Sequence, residues 1–498
     1  MRKKETVTIL NRPGRTGKLR IAQPEVKVFS WRDGTHVAFD VNSLAALQVS
    51  EKLAGRIRKR KLPNLSGVLW TGLAPEFDPP PPLCPVRKIV LNVTHGCNLA
   101  CTYCFARKHK RMPTMSARTA LDALQLFAEN VPISVAFFGG EPLLAWDIVT
   151  TVAERAIALA RERKVGCRLH VTTNGTLIDA VKAAALKRYG FSVLLSLDGP
   201  EKIHNETRPA KRGNSFKKTM EALDALNAAG IRPTIRATFT ADAPKLIQRL
   251  DFFAKLFDQR KISGASVEPV VLSEGCGYGD SQPRAAVPHK PETIWHEAAK
   301  WFVRRVKSGK TPFPLHYFRV YLKRFLQGRP AGAECGAGRG YLTIGPKGEM
   351  FACHRETHCG IGHVESGFDA AERAKWLDNR IRLDGECGKC WARYWCGGGC
   401  RQARLELVGA IDGNTPAWCA ERRAILKEVL WIAAQLTRTD ALRAAGLAHA
   451  ETRRPQRKED CTVVCETGCE VSRQTAGTKK PRKSRSLCTS CLRGESKS

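Results

Sequence analysis

Residues 93–106 read VTHGCNLACTYCFA and place Cys97, Cys101 and Cys104 in a C-x3-C-x2-C pattern directly after an apolar run. Three closely spaced thiolates can hold one face of an iron–sulfur cube. Because a four-iron cluster normally takes four ligands, one iron would stay open for another molecule. The spacing alone leaves two alternatives open: a zinc site with His95 as a fourth ligand, or buried cysteines without a ligand.

Outward from this stretch, between residues 87 and 273, short apolar runs alternate with amphipathic segments. This alternation predicts parallel strands joined by crossover helices. We therefore expect an α/β fold with a parallel sheet, open or curled into a partial barrel, whose ligand chemistry lies at the carboxyl ends of the strands. The predicted strands are Lys88–Val93, Ile133–Phe138, Arg168–Thr173, Phe191–Leu197, Thr234–Thr240 and Ala265–Leu272.

Polar motifs follow three of these strands. Glycines allow close backbone approach, a strand-end carboxylate suits an ammonium group, and a guanidinium suits a carboxylate. For Asn174 and Asp198 an ordinary turn before glycine is the alternative, and for Arg208 it is a solvated charge. The motifs are Gly139-Gly140-Glu141-Pro142, Thr173-Asn174-Gly175 and Ser196-Leu197-Asp198-Gly199, followed by Arg208.

With these motifs in order on successive strand ends, the chain resembles the radical S-adenosylmethionine (SAM) enzymes. The resemblance implies a partial (β/α)6 barrel, in which Cys97, Cys101 and Cys104 hold a [4Fe-4S] cluster and SAM occupies its open iron. It also implies that the GGEP motif meets the methionyl amino group, and that Ser196 and Arg208 lie near the carboxylate and ribose. Tyr103 would shield the cluster. The expected cofactor-binding residues are Tyr103, Gly139, Gly140, Glu141, Asn174, Ser196 and Arg208.

A second set of seven cysteines lies farther along the chain, with C-x2-C, C-x5-C and C-x3-C spacings. The set resembles the SPASM extension of some radical SAM enzymes, which implies two auxiliary [4Fe-4S] clusters; a pair of zinc sites is the alternative from spacing alone. With three ligands, the inner cluster would have a fourth site that is open or filled by another cysteine such as Cys359. The implied ligands are Cys387, Cys390, Cys396 and Cys419 for the outer cluster, and Cys335, Cys353 and Cys400 for the inner one.

Residues 28–58, VFSWRDGTHVAFDVNSLAALQVSEKLAGRIR, resemble the leader-binding module of many peptide-modifying SPASM enzymes. The pattern predicts strands at Glu25–Ser30 and His36–Val41 and a helix over Leu44–Lys59. Such modules bind a leader peptide as an added edge strand, and the basic charge here would suit an acidic leader. The alternative is a β-hairpin with a capping helix and no ligand.

The chain has 498 residues, 19 cysteines and a formal net charge of +35. It has no apolar run of about 18 residues and no apolar segment near its start, so we expect no membrane span, no secretion signal and a cytoplasmic location. Without export, the cysteines are expected to bind metal or to react as thiols and not to form a disulfide framework. The charge allows a polyanionic partner, but a basic run without an aromatic platform favours nucleic acid only weakly.

The length of the chain predicts about two to four domains. The basic tail is expected to be disordered, and its five cysteines, at 461, 465, 469, 488 and 491, could serve a further cluster, a fused Cys-rich substrate or no function. The predicted divisions are 1–75, a leader-recognition-like module; 76–86, a proline-rich linker; 87–289, the radical SAM partial barrel; 290–334, connecting helices; 335–445, the Cys-rich SPASM domain; and 446–498, the tail.

Together these resemblances imply an enzyme that reductively cleaves SAM and abstracts a hydrogen from a ribosomally made, Cys-rich peptide, with a thioether crosslink as the expected product. A flavodoxin or ferredoxin would supply the electron, and the peptide would carry a leader. One alternative is an anaerobic sulfatase-maturating enzyme that generates formylglycine. Another is a zinc-stabilised nucleic-acid-binding protein.

Overall fold

The computed structural model describes residues 6–11, 18–21, 25–59, 73–77, 85–106, 113–239, 244–270, 290–355, 359–378, 380–413, 415–447, 463–464 and 470–472. The predictions for most of the proline-rich linker and most of the tail, including its cysteines, lie outside these residues. Within the described residues, no helix is both long and apolar enough to span a bilayer.

The N-terminal module is a small, mostly antiparallel sheet with one helix packed on it, and β1 and β18 form its parallel pair. The helix begins later than its sequence pattern predicts, because Leu44 has a left-handed φ of 59° and Ser50 caps the helix by accepting a hydrogen bond from the Leu53 amide at 3.2 Å. The main sheet has the order β17-β18-β1-β5-β4-β3, and β2 pairs with β6. The elements are β1 Thr6–Asn11, β2 Lys18–Ile21, β3 Val26–Ser30, β4 His36–Asp40, β5 Ala46–Gln48, α1 Glu51–Arg58, β6 Leu73–Glu76, β17 Val463–Val464 and β18 Glu470–Ser472.

Six parallel strands in sequence order form the central sheet, which confirms the predicted parallel α/β fold. Alternate residues of each strand point to opposite faces. On one face the apolar residues, such as Ile235 and Ala237, are buried in the core that the helices complete. The opposite face, here called the inner face, carries Arg236 and Thr238. The elements are β7 Lys88–Thr94, α2 Ala117–Asp122, β8 Ile133–Gly139, α3 Trp146–Glu162, β9 Cys167–Thr173, α4 Ala180–Arg188, β10 Phe191–Ser196, α5 Glu201–Thr207, α6 Ser215–Ala228, β11 Thr234–Phe239, α7 Pro244–Asp258 and β12 Gly264–Pro269.

The rest of the chain extends this sheet and covers its ends. Strand β13 pairs in parallel with β7, and three antiparallel strands follow it. Trp395 stacks between Phe39 and Phe325, with centroid distances of 5.7 and 5.3 Å, so the cysteine-rich region is joined to the N-terminal module by aromatic packing. The elements are α8 Pro291–Lys307, α9 His316–Leu326, β13 Tyr341–Ile344, β14 Glu349–Phe351, β15 Gly360–His363, β16 Gly367–Phe368, α10 Ala370–Leu377, α11 Arg393–Cys396, α12 Arg401–Val408, α13 Pro416–Gln435 and α14 Arg438–Ala445.

Candidate active site

The loop after β7 carries the C-x3-C-x2-C cysteines, and it is fixed along one side by the segment after α5. The Ala100 amide donates to the Pro209 carbonyl at 2.9 Å, and the Thr102 amide donates to the Thr207 carbonyl at 3.0 Å. The cysteine loop is neither a helix nor a strand. These backbone hydrogen bonds therefore fix its shape and the positions of its three thiols.

The three thiols of this loop are neighbours. Burial raises the pKa of Cys101 to about 12, and the charges of Cys104 and Cys97 add to the rise. Two donors face the sulfurs: Asn174 Nδ2 lies 3.9 Å from Cys97 Sγ, and Arg208 Nη1 lies 3.9 Å from Cys101 Sγ. Grouped thiols with N–H donors toward sulfur fit the ligand set of an iron–sulfur cluster, whose properties such hydrogen bonds tune.

All described cysteines are free thiols. In this part of the chain no three His, Cys, Asp or Glu side chains form a site for a single metal ion. Iron bound by the buried thiols would deprotonate them, as metals do to their thiol ligands.

The glycines of the GGEP motif are required by the cysteine loop itself. The Gly140 amide donates to the Thr94 carbonyl at 2.7 Å, and the Glu141 amide donates to the Gly96 carbonyl at 2.8 Å. A Cβ on Gly140 would lie 2.0 Å from the Gly96 oxygen. Only glycine lets the two backbones come this close. The sequence argument for these glycines was a close approach to the cofactor, and the structure adds this second reason.

Glu141 is a fully buried carboxylate that joins the ends of two strands. It accepts hydrogen bonds from the Thr173 hydroxyl at 2.8 Å and from the amides of Asn174 and Leu143 at 2.8 and 3.1 Å. Burial raises its pKa to about 7 despite these three donors. A cationic ligand beside Glu141 would offset that burial cost, which agrees with the predicted contact to an ammonium group.

Asn174 serves the turn and the cysteine loop together. Its Oδ1 accepts hydrogen bonds from the amide and hydroxyl of Thr176 at 2.9 and 2.7 Å, which is the turn chemistry that the sequence allowed. Its Nδ2 donates to Asn98 Oδ1 at 2.9 Å and faces Cys97. The turn therefore aims the amide group at the cysteine loop.

Asp198 is more than the turn residue that its sequence context allowed. Its buried carboxylate lies 3.0 Å from Arg208 Nε, accepts the hydroxyl hydrogen bonds of Thr207 at 2.8 Å and of Tyr103, and accepts the Thr238 amide at 2.8 Å. Ionic contact with Arg208 keeps the pKa of Asp198 lowered although burial opposes this. Asp198 therefore ties the cysteine loop to β10 and β11.

The same contacts give the surroundings of the other predicted cofactor residues. The Arg208 guanidinium lies 5.4 Å from the centre of the half-buried Tyr103 ring, and both groups bind Asp198. Ser196 is buried at the end of β10, with Arg236 as its register partner on β11. Their contacts with SAM remain predictions.

The structure brings the inner-cluster cysteines together as a second group. Burial raises the pKa of Cys353 to about 12, and the charges of Cys400 and Cys335 add to the rise, so these three thiols are neighbours. Cys359 is exposed.

A third group contains outer-cluster cysteines. Burial and the charge of Glu334 raise the pKa of Cys396 to about 12, with further contributions from Cys390 and Cys419. Cys387 accepts a hydrogen bond from Arg404 Nη2 at 3.4 Å. The three cysteines that the resemblance assigns to the inner cluster therefore form one group, and Cys390, Cys396 and Cys419 of the outer set form another.

An aromatic contact joins the first thiol group to the inner one. Phe138 lies directly before the GGEP motif, and its ring packs edge-on against His354, the residue after Cys353, at 4.7 Å. On its other side, Phe138 stacks with Phe105 of the cysteine loop at 6.3 Å. Tyr341 hydrogen-bonds to His354 Nδ1. The sequence pattern had singled out none of these residues.

A further set of polar residues lies on the inner face and was also missed. It consists of Arg236 on β11, Ser266 and Glu268 on β12, and Tyr317 on α9, here called the inner-face polar cluster. Arg236 Nη1 lies 2.5 Å from Glu268 Oε1. Burial lowers the pKa of His354 to about 3, and the charges of Arg236 and Glu268 also act on it, so the cluster faces the loop of the inner thiols. The polar alternation in Thr234–Phe239, TIRATF, was the available signal.

Residues 91–241, which include the cysteine loop and the strand-end motifs, match the family model of the radical SAM superfamily. This segment is a radical SAM domain. The chain is therefore a radical SAM enzyme. This agrees with the geometry, since the matched segment contains the loop, Glu141, Asp198 and Arg208.

Three curated relatives of this radical SAM enzyme are named for different reactions. It is 27% identical to the AdoMet-dependent heme synthase of Oleidesulfovibrio alaskensis over 66% of this chain and 86% of that protein. It is 29% identical to the mycofactocin maturase MftC of Mycobacterium ulcerans over 67% and 87%. With the cysteine-type anaerobic sulfatase-maturating enzyme of Clostridium perfringens it shares 23% identity over 64% and 90%.

Among solved structures, the fold is similar to that of native anSMEcpe with bound AdoMet, with a TM-score of 0.58 and 21% identity over 70% of this chain and 99% of that one. anSMEcpe has also been solved with AdoMet and the Cp18Cys peptide, at a TM-score of 0.56. The superfamily match favours an enzyme over the zinc-stabilised nucleic-acid-binding alternative.

Proposed function

We propose that this radical SAM enzyme is a peptide maturase that forms a thioether crosslink in a ribosomally made, Cys-rich peptide. One observation carries the proposal: Phe138 and His354 bring the strand-end thiol loop and the inner thiol group against the same stretch of the inner face. A substrate between them would be reached from both sides. A maturase and a peptide-bound structure among the similar proteins support a peptide substrate.

The chain's own groups have separable roles. Cys97, Cys101 and Cys104 would hold a [4Fe-4S] cluster, which with bound SAM supplies a radical able to abstract a substrate hydrogen. Glu141 would hold the ammonium group of SAM, because its carboxylate is fixed by three donors at the strand end. Asp198 holds Arg208 in place, so that the loop keeps one geometry during the reaction.

The auxiliary thiols would hold two further clusters. Cys335, Cys353 and Cys400 provide three ligands to the inner one, and an iron without a protein ligand there could take the thiolate of the substrate. Crosslinking would then remove two hydrogens from the peptide: a hydrogen atom would leave carbon by abstraction and a proton would leave the thiol, and an auxiliary cluster would accept the remaining electron. A flavodoxin or ferredoxin would supply the reducing electron.

The N-terminal module would hold the leader peptide. Within the described residues β3 is the last strand on its side of the sheet, so its outer backbone groups can pair with an added strand. A groove of about 590 Å³ opens beside it. Phe29 and Trp391 pack at 4.7 Å on its wall, and the cations outnumber the single carboxylate, Glu292. The cations lining the groove are Lys290, Arg423 and Lys427. These features suit an acidic, extended leader with an apolar residue.

Co-expression with a short cysteine-rich peptide encoded beside this gene tests the function. Mass spectrometry should show a stable loss of two hydrogens per crosslink, and alkylation should show one thiol fewer for each. Replacing Cys97, Cys101 and Cys104 by Ala should abolish the change. Cys167→Ser is the matched control, since Cys167 lies in β9 outside all thiol groups. An unmodified peptide together with active SAM cleavage would refute the proposal.

Formylglycine formation in a sulfatase is the second candidate. It is favoured by the similarity to the sulfatase-maturating enzyme and to anSMEcpe. The N-terminal module argues against it, because the sulfatase maturases that the chain resembles usually lack one. An aldehyde on a sulfatase-motif peptide, detected with a hydrazine reagent, would support this candidate over crosslinking.

A further inference from the structure

We propose that Arg236 binds an acidic side chain of the peptide substrate and thereby fixes which residue of the peptide meets the radical. The proposal rests on the proposed function, because it takes the substrate to be a peptide. Beyond the proposed function, it names a carboxylate side chain as the group of the peptide that the enzyme recognises.

Arg236 lies where a substrate would be held. It is on the inner face of β11, while its neighbours Ile235 and Ala237 are buried on the helix side. Its register partners are Ser196 on β10 and Ser266 on β12. Ser196 is itself a predicted cofactor contact, so Arg236 is one strand away from the expected SAM site.

The position along the strand is also close to the reacting groups. Thr238, the next residue of β11 on the inner face, donates its amide to Asp198, which holds Arg208 and Tyr103 beside the thiols. Two residues of a strand span about 7 Å. A peptide carboxylate on Arg236 would therefore place its own or the adjacent residue beside the reactive end of the sheet.

Glu268 orients the Arg236 guanidinium and leaves some of its N–H donors available. Its carboxylate takes Arg236 Nη1 at 2.5 Å, the Ser266 hydroxyl at 2.7 Å and the Tyr317 hydroxyl at 2.9 Å. Arginine has five N–H donors in a rigid fork. Among the described residues, Glu268 is the only side chain that pairs with Arg236, so the fork keeps donors for a second carboxylate.

Arg236 is also accessible, unlike Arg208 and Arg249 at the strand ends. Its side chain is 36% exposed, whereas that of Arg208 is 9% exposed and lies against Asp198. Arg249 is buried and donates to the carbonyls of Asp198 and Thr238. Those two arginines complete the fold of the strand ends, and Arg236 presents its free donors toward the space where a substrate would lie.

A carboxylate is the group that best matches these donors. A planar guanidinium already oriented by one carboxylate can bind another through charge-assisted, paired hydrogen bonds. An amide of the same shape would lose the charge. We therefore expect Asp or Glu to be preferred over Asn or Gln at one position of the substrate by about tenfold.

Selection from an mRNA-displayed library of random dodecapeptides with blocked termini tests the site, using anaerobically reconstituted full-length protein with SAM. Peptides retained by the wild type should be enriched in Asp or Glu at one position. Arg236→Gln, whose amide can still donate to Glu268, should lower this enrichment about tenfold, and Arg236→Lys should lower it less. Arg168→Ala is the control, because Arg168 is an exposed residue near the other end of the inner face, on β9; its enrichment should match the wild type.

Equal Asp and Glu enrichment in the wild type and in Arg236→Gln would overturn the site, as would wild-type binders without acidic residues. Should Arg236→Gln lose iron through misfolding, Arg236→Lys, which keeps the charge beside Glu268, decides the question. A wild type that retains no peptide at all would contradict the peptide substrate itself, which is a distinct result.

Discussion

The imidazole of His354 packs edge-on against the ring of Phe138, with 4.7 Å between the ring centroids. Phe138 ends the strand before the GGEP motif, and His354 follows Cys353 of the inner thiol group. Through this contact the two thiol groups share one wall, although more than 200 residues separate them in the sequence. The following predictions concern the groups on either side of this contact.

Gly140→Ala should displace the cysteine loop. The added Cβ would lie 2.0 Å from the Gly96 oxygen, a backbone atom that cannot move without the loop. We expect the purified variant to lose about four irons per chain, the content of one cluster, and most SAM cleavage. Gly166→Ala is the control, since a Cβ there meets nothing within 4 Å. Normal iron content in Gly140→Ala would contradict the assigned role of this backbone contact.

Asp198→Asn should destabilise the protein strongly, because it leaves the Arg208 charge buried without a partner. Removing one member of a buried ion pair costs about 3–5 kcal/mol. Urea unfolding under anaerobic conditions measures the free energy, and iron analysis reports the loop. Asp224→Asn removes an exposed partner of Lys261 and should cost less than about 1 kcal/mol. Similar losses for both variants would argue against Asp198 as the tie between loop and sheet.

Most of the central sheet could be predicted from the sequence, since each strand is a short apolar run with its own helix behind it. Asp198 could not be recognised as a tie, because its context Leu197-Asp198-Gly199 also fits a turn, and its partner Thr238 is 40 residues away. The start of α1 was misplaced, since the pattern from Leu44 is helical and only the Ser50 cap and the φ of Leu44 exclude it.

The thiol groups were predictable for a different reason. The cysteine spacings carry the resemblance to the SPASM extension, and that resemblance assigns Cys335, Cys353 and Cys400 to a set of their own before any contact is known. Arg236 and His354 carry no such signal. The role of a polar residue on the inner face depends on the side chains that face it. Those side chains are set by how α9 and the Cys353 loop fold over the sheet.

Replacing Cys335, Cys353 and Cys400 by Ser should remove about four of about twelve irons per chain, since each cluster holds about four. The strand-end loop should keep its iron, because its thiols form a separate neighbourhood. Cys167→Ser is the control; Cys167 lies in β9, outside the three thiol groups, and its replacement should change the iron content little. Iron and sulfide analysis checks this. Wild-type protein that contains zinc in place of some of the roughly twelve expected irons would contradict the auxiliary clusters.

Glu268 should make the free energy of unfolding depend on pH. Burial opposes its ionisation, but the charge of Arg236 and the hydrogen bonds of Ser266 and Tyr317 outweigh this and lower its pKa to about 2, from 4.5. A lowered carboxyl pKa stabilises the fold above the unfolded value, and this stability is lost as pH falls from about 4.5 toward 2.

Unfolding of the wild type and of Glu268→Gln at several pH values measures this effect. The variant should be less stable at pH 7, and the difference between the two proteins should shrink by about 1 kcal/mol on going to pH 4. Glu297→Gln, at an exposed surface pair with Lys300, is the control and should show no such trend. A constant difference across the range would show that Glu268 is not held by ionic contact.

Hydrogen transfer from the peptide to the cofactor tests the central claim most directly. The same cysteine-rich peptide, expressed without the enzyme and with fully deuterated amino acids, is incubated with reduced enzyme and SAM, and the mass of the 5′-deoxyadenosine is measured by mass spectrometry. We predict deuterium in the 5′-deoxyadenosine, in proportion to the peptide that has lost two hydrogens. Formation of 5′-deoxyadenosine without deuterium, in the presence of that peptide, would contradict the assignment as a radical peptide maturase.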